Sequence, residues 1–117
     1  MKTDITLEEA LAHYKDTAKD LDEAEHRLAL ILSDLTSARD ERDKAWFEYV
    51  KCASEKNYDR FEFCEDSLNS LYEKRHSAHV TYSLRKFQFK RAKKLYVKLQ
   101  RKAKKQEKKN ARQPGEE

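Results

Sequence analysis

The stretch Tyr58-Asp59-Arg60-Phe61-Glu62-Phe63 carries a helix-start signal in the middle of a chain of 117 residues. Asp59 has the short acceptor side chain that caps a helix, and Glu62 stands three positions later, where it can bond back to the capping residue. The same kind of signal occurs near the start of the chain in Ile5-Thr6-Leu7-Glu8-Glu9-Ala10, with Thr6 as the cap. Two start signals predict two helices with a turn between them.

Residues that end helices are almost absent from the chain. It contains one Gly and one Pro, both after residue 113, so no turn-based sheet fold is available. Charged residues make up 41% of the sequence against 38% hydrophobic residues, which is too little apolar material for a thick core. We therefore expect an all-α chain with a lead-in at 1–5, an acidic first helix at 6–56, a turn at 57–59, a second helix with a basic C-terminal half at 60–107, and a flexible tail at 108–117.

Apolar residues recur at seven-residue spacing in both predicted helices, which is typical of a coiled-coil seam. We expect a long antiparallel helical hairpin; one continuous helical rod is the alternative that the paired capping signals disfavour. The helix 1 seam is predicted from two rows, with a flanking row of small or apolar residues, and the helix 2 seam from two further rows. In helix 1 the first seam row is Leu7, Tyr14, Leu21, Leu28, Leu35 and Tyr49, the second seam row is Leu11, Ala18, Leu32, Trp46 and Ala53, and the flanking row is Ala10, Ala24, Ile31, Ala38, Ala45 and Cys52. In helix 2 the first row is Phe61, Leu68, Tyr82, Phe89, Tyr96 and Ala103, and the second row is Cys64, Leu71, Ala78, Ala92 and Leu99.

A turn centred near residue 58 sets the register of the predicted hairpin. The numbers of facing residues should then add to about 116, which places Cys52 beside Cys64. Two interpretations of this pair stay open: a disulfide or redox switch, or two small buried hydrophobic residues.

Charge is unevenly distributed along the chain. Residues 1–57 carry 9 basic and 14 acidic side chains, whereas residues 58–117 carry 17 and 8. The most basic segment is the run from Arg85 to Arg112. A dense row of cations binds phosphate backbones by releasing their counterions, so this basic run is a candidate nucleic-acid surface. The alternatives are an acidic protein partner and a solvated charged face that the acidic first helix partly neutralises. The candidate polyanion-binding residues are Lys90, Arg91, Lys93, Lys94, Lys98, Arg101, Lys102, Lys104 and Lys105.

Large apolar side chains also lie off the predicted seam. Six of the twelve aromatic residues fall within residues 46–63, close to the predicted turn. Exposed aromatic side chains make good interaction hot spots, and a two-helix hairpin cannot hide all of its apolar residues. We therefore expect self-association into a dimer or four-helix arrangement, with a dedicated partner protein as the competing explanation. The candidate partner-binding residues are Phe47, Val50, Phe63, Val80, Leu84 and Phe87.

The sequence lacks the patterns that catalysis, cofactors or metals require. It has no glycine-rich phosphate loop, no nucleophile elbow and no His-Glu-x-x-His motif, so we expect neither enzyme activity nor a cofactor, and no small-molecule substrate. His76 and Cys64 are separated by twelve helical residues, about 18 Å, too far for one zinc site. No apolar run approaches the length of a membrane span or a signal peptide, so we expect a soluble cytoplasmic protein without membrane contact.

Together these features favour a non-enzymatic macromolecular interaction protein. The leading hypothesis is a small helical-hairpin adaptor or inhibitor that docks on a larger protein or complex. The second is an RNA- or DNA-binding protein that uses the basic face of helix 2. The third is a coiled-coil assembly or chaperone-like factor.

Overall fold

The computed structural model describes residues 5–116, with side chains described as far as residue 111, and shows two long helices in an antiparallel hairpin. Helix α1 spans Leu7–Lys51 and helix α2 spans Glu55–Glu116. No strand occurs among the described residues. The predicted all-α hairpin is therefore confirmed.

Thr6 caps the start of α1, at the signal identified in the sequence. Its Oγ1 accepts a hydrogen bond of 3.1 Å from the backbone N–H of Glu9, and its carbonyl accepts one of 3.0 Å from the N–H of Ala10. The side-chain bond satisfies one of the donors that a helix N-terminus leaves without intrahelical partners, and the carbonyl bond is the first bond of the helix itself.

The turn lies earlier than the predicted turn at 57–59. Helix α1 ends at Lys51, not at residue 56, and α2 begins at Glu55 with Ser54, rather than Asp59, as its cap. Ser54 Oγ accepts a 3.1 Å bond from the N–H of Asn57. Asn57 also donates from Nδ2 to the Cys52 carbonyl at 2.9 Å, so it closes the end of α1 with its side chain. Ser54 is the N-cap in place of Asp59 because its bond satisfies a backbone N–H at the start of α2, while the Asn57 bond satisfies a backbone carbonyl at the end of α1.

Helix α2 also continues past the predicted end at residue 107. Its backbone is helical through Glu116, so residues 108–116 extend the helix where the sequence suggested a tail. The segment from 101 to 111 consists mainly of Lys, Arg, Gln and Ala, which are good helix formers, and no breaker precedes Pro114.

The chain divides into two compact units. The turn unit is Glu23–Ser83 and contains the turn; the terminal unit combines the start of α1, as far as Asp22, with α2 from Leu84 onward. Each unit is a two-helix pair with its own small core.

In the turn unit the core is made of leucines and alanines. Leu35 and Leu68 are each 2% exposed, and Ala45 is 1% exposed. Near the turn, the Trp46 ring packs on Phe61 with ring centroids 5.1 Å apart, and Tyr49 packs on Tyr58 at 5.6 Å. These contacts close the end of the hairpin with aromatic rings.

Two arginines that interrupt the apolar rows of the turn unit pack on one tyrosine. The guanidinium carbons of Arg39 and Arg75 lie 5.4 and 5.2 Å from the Tyr72 ring centroid. Arg39 Nε also donates a 3.0 Å hydrogen bond to the Tyr72 hydroxyl. The seam tolerates these charges because each guanidinium stacks on an aromatic face and keeps its polar edge at the surface.

In the terminal unit, small residues and aromatic rings form the core. Ala10, Thr17 and Ala92 are buried, and the Tyr14 ring lies 5.4 Å from Phe89 and 5.6 Å from Tyr96. The buried hydroxyl of Thr17 donates a 2.9 Å bond to the carbonyl of Tyr14, so it does not remain unsatisfied.

One predicted seam row of α1 is wrong in part: its members Leu11 and Ala18 are half-buried as predicted, but those closer to the turn are exposed. Leu32 and Trp46 are 46% and 47% exposed, whereas Ala10, Ala24 and Ala45, assigned to the flank, are buried. Helix α2 presents bulky side chains from its seam, and alanines opposite them allow the two backbones to approach. The predicted α2 rows are confirmed, since all their members are buried or half-buried.

The register also differs from the predicted one. Trp46 faces Phe61 and Tyr49 faces Tyr58, so the numbers of facing residues add to about 107 rather than 116. Cys52 is exposed at the turn, while Cys64 lies nine residues into α2, about 13 Å along its axis. This separation exceeds the reach of a disulfide, so the predicted placement of Cys52 beside Cys64 is wrong and the disulfide interpretation falls with it.

Candidate functional site

The aromatic residues near the turn do not form one exposed surface. Phe47 follows the buried Ala45 by two residues and Phe63 follows the seam residue Phe61 by two, so each lies about 200° around its helix from the seam. Phe47 is 65% exposed and Phe63 is 72% exposed. Because they project from the outer sides of two paired helices, these two rings point in opposite directions. The structure therefore does not bring the candidate partner-binding residues Phe47 and Phe63 together.

Three exposed apolar side chains form a patch on one side of the turn unit. Trp46 and Tyr58 both contact Tyr49, with ring centroids 6.0 and 5.6 Å away. Both remain 47% exposed, and Val50, one helical turn after Trp46, is 61% exposed. The sequence placed Trp46 inside the seam; its exposure follows from the shift of the seam to the alanine row.

The off-seam row of α2 is exposed where the sequence predicted it. Val80, in the turn unit, is 54% exposed; Leu84 and Phe87, in the terminal unit, are 52% and 59% exposed. In the terminal unit Leu84 and Phe87 border a groove whose opposite wall is formed by Asp16 and Asp20 of α1.

The basic residues of α2 form one continuous exposed face in the terminal unit. The buried or half-buried residues Phe89, Ala92, Tyr96 and Leu99 mark the side of α2 that packs on α1. All nine candidate polyanion-binding residues are exposed and follow the other side of the helix: Lys90, Arg91, Lys93, Lys94, Lys98, Arg101, Lys102, Lys104 and Lys105. We call this set the basic face. No acidic residue occurs in the sequence between Arg85 and Gln106.

Helix α1 contacts the first residue of the basic run, Arg85. Arg85 Nη1 lies 4.0 Å from an Asp20 carboxylate oxygen and donates a 3.1 Å bond to Gln88 Oε1. Within the part of the chain whose side chains are described, none of the nine residues of the basic face makes an ion pair. Contacts to α1 therefore do not neutralise this face.

Two shallow recesses shape the surface of the basic face. One, of about 500 Å³, is lined by Val97 and by the cationic side chains around it, from Lys93 to Lys105. The other, of about 300 Å³, is lined by Phe87, Lys90, Arg91, Lys93 and Lys94. The guanidinium carbon of Arg91 lies 5.7 Å from the centroid of the Phe87 ring.

Phe87 thus borders the basic face and is also a member of the apolar row. The role predicted for it from the sequence is partner binding through the apolar row alone. The signal that links it to the cations is helical spacing, because Phe87, Lys90, Arg91 and Lys94 are three or four residues apart and share one side of α2.

The remaining candidate groups are dispersed. His76 and His79 are exposed, and the His79 ring lies 6.5 Å from Tyr82. Within the described residues, no group of three or more His, Cys, Asp or Glu side chains is placed to hold a metal ion. Neither helix, over its described length, has a segment long and apolar enough to cross a membrane.

Comparisons with protein-family models, with curated proteins and with solved structures found no match to this chain.

Proposed function

We propose that this chain is a non-enzymatic interaction protein that binds a nucleic acid on the basic face of α2. The observation that supports it best is that nine cationic side chains are exposed along one side of the helix with no acidic residue between them. A surface of this kind attracts a phosphate backbone over its whole length, since every bound phosphate releases condensed counterions. An acidic protein partner presents a less regular charge array and gains less from such release.

The test measures affinity for a labelled oligonucleotide as a function of salt. The logarithm of the affinity should fall linearly with the logarithm of salt concentration, with a slope of about 0.7 to 0.9 for each phosphate contacted. Replacing Lys98, Arg101 and Lys102 together by Gln removes three cations from the middle of the face and should reduce that slope by about 2 to 3.

A matched control carries the same loss of charge elsewhere. Lys44, Lys51 and Lys56 are exposed in the turn unit, and their joint replacement by Gln should leave both the affinity and the salt slope close to those of the unaltered protein. Equal losses in the two triple variants would mean that binding follows net charge and not the basic face. Absence of salt-dependent binding would reject the proposal.

A second candidate function is docking on a larger protein, as an adaptor or inhibitor. It is favoured by Phe47 and Val50, which are three residues apart on α1 and are 65% and 61% exposed. Two large apolar side chains on one side of a helix are typical anchors for a hydrophobic pocket. Phe47→Asp should abolish capture of a protein partner while preserving helicity by circular dichroism; Phe63→Asp, on the other side of the hairpin, is the matched control.

A further inference from the structure

Phe87 is an exposed aromatic ring at the beginning of the basic face. The side chain is 59% exposed even with the Arg91 guanidinium over its ring. Lys90, Lys93 and Lys94 complete the recess that it lines. An apolar ring surrounded by cations does little for stability at this position, because it packs in neither core.

A line of cations continues from this ring along α2. Starting at Phe87 and advancing three or four residues at a time, it follows one side of the helix for eighteen residues, about 27 Å. Its members after Phe87 are Arg91, Lys94, Lys98, Arg101 and Lys105, and each is exposed. An aromatic ring followed by a cationic track is the arrangement that proteins use to hold unpaired nucleotides, with bases on the ring and phosphates on the track.

We infer that this ring and track bind a single-stranded nucleic acid, with one unpaired base stacked on Phe87 and the backbone running along the cations toward Lys105. The inference rests on the proposed nucleic-acid function and specifies the form of the ligand. A duplex keeps its base faces stacked inside, so it could use the cations but not the ring. The exposed ring therefore favours the single strand.

The test compares one labelled oligonucleotide of about 16 nucleotides, mixed in sequence, with its own duplex at equal salt. The full chain should bind the single strand more tightly. Phe87→Ala should weaken single-strand binding about 5- to 150-fold, the range expected when one base loses an aromatic stacking partner. It should leave the salt slope unchanged, because no cation is removed, and Phe87→Trp should retain the affinity.

Controls separate this inference from the function on which it rests. Phe63→Ala removes a ring that is 72% exposed in the turn unit and should leave binding unchanged. Equal or tighter binding of the duplex, or full affinity in Phe87→Ala, would overturn the single-strand inference but leave the nucleic-acid function standing if binding is still salt-dependent. Failure of both oligonucleotides to bind rejects both.

The same variants also test whether Phe87 serves a protein contact instead. The molar mass of each variant in solution is measured by light scattering, and its helicity by circular dichroism. If Phe87→Ala changes the oligomeric state while single-strand affinity stays the same, the ring packs against a second copy of the chain and the inference is wrong.

Discussion

The Arg60 guanidinium donates a 2.6 Å hydrogen bond to the carboxylate of Glu48, and this contact joins α1 to α2 near the turn. Both side chains are about half exposed, so the ion pair contributes roughly 0.2 to 1 kcal/mol to stability. Its position agrees with the neighbouring ring contacts of Trp46 with Phe61 and of Tyr49 with Tyr58. Together these contacts define the register of α1 against α2 near the turn.

Leu35 and Leu32 should differ strongly in their effect on stability. Leu35 is 2% exposed and Leu32 is 46% exposed, although both belong to rows that the sequence assigned to the seam. Leu35→Ala should lower the free energy of unfolding by about 2 to 5 kcal/mol, because it removes buried methyl groups and leaves a cavity. Leu32→Ala should cost less than about 1 kcal/mol. Urea titrations followed by circular dichroism give both values, and equal losses would contradict the seam.

Ala45 should not tolerate a larger side chain. It is 1% exposed and belongs to the alanine row that is buried in the seam. Ala45→Leu should destabilise the protein by about 1 to 3 kcal/mol, since extra methylene groups in a packed seam force side chains and backbone apart. Ala29, in the same unit, is exposed, so Ala29→Leu is the control and should be nearly neutral. Thermal unfolding of the pair checks the difference; a stabilised Ala45→Leu variant would place this residue on the flank.

Ser54 should contribute more to the free energy of unfolding than serines within the helices do. Its Oγ accepts the bond from the Asn57 N–H at the start of α2. Ser54→Ala should lower the free energy of unfolding by about 0.5 to 2 kcal/mol, the usual effect of removing an N-cap. Ser37→Ala, at an exposed position inside α1, should be neutral or slightly stabilising because Ala is the better helix former. If Ser54→Ala is also neutral and Asp59→Ala is not, α2 starts at the later signal.

Cys52 and Cys64 should not form an intramolecular disulfide under mild oxidation. Cys52 is exposed at the turn. Cys64 is half-buried in α2 and lies nine residues, about 13 Å, beyond the first residue of that helix. Peptide mass spectrometry of the oxidised, unreduced monomer should find no peptide that links the two. Complete formation of a Cys52–Cys64 disulfide would contradict the observed register and support the one in which these cysteines face each other.

The surfaces were predictable from the sequence to different degrees. The basic face was predictable because helical spacing alone places its cations away from the apolar rows of α2. The arrangement of the aromatic residues near the turn was not predictable: Phe47 and Phe63 lie sixteen residues apart, one on each side of the turn, yet they project from opposite sides of the hairpin. The connection of Phe87 with Lys90, Arg91 and Lys94 was present in the spacing, but the apolar row of Val80 and Leu84 suggested a different grouping.

The sequence by itself determined two long helices, the capping of α1 by Thr6, the apolar rows of α2 and the segregation of charge, because each depends on local propensity and helical period. Tertiary structure alone decided which rows of α1 form the seam. Two rows of apolar residues compete there: the row of Ala45 and the row of Trp46 lie about 100° apart around the helix, on either side of the row of Leu35, and the choice between them depends on the bulky side chains of α2. Rings such as Phe61 and Phe89 fill the space between the helices, so only the alanine row allows close packing and Trp46 stays at the surface. The register and the turn at Ser54 follow from the same packing, since facing residues must fit each other as well as their own helix.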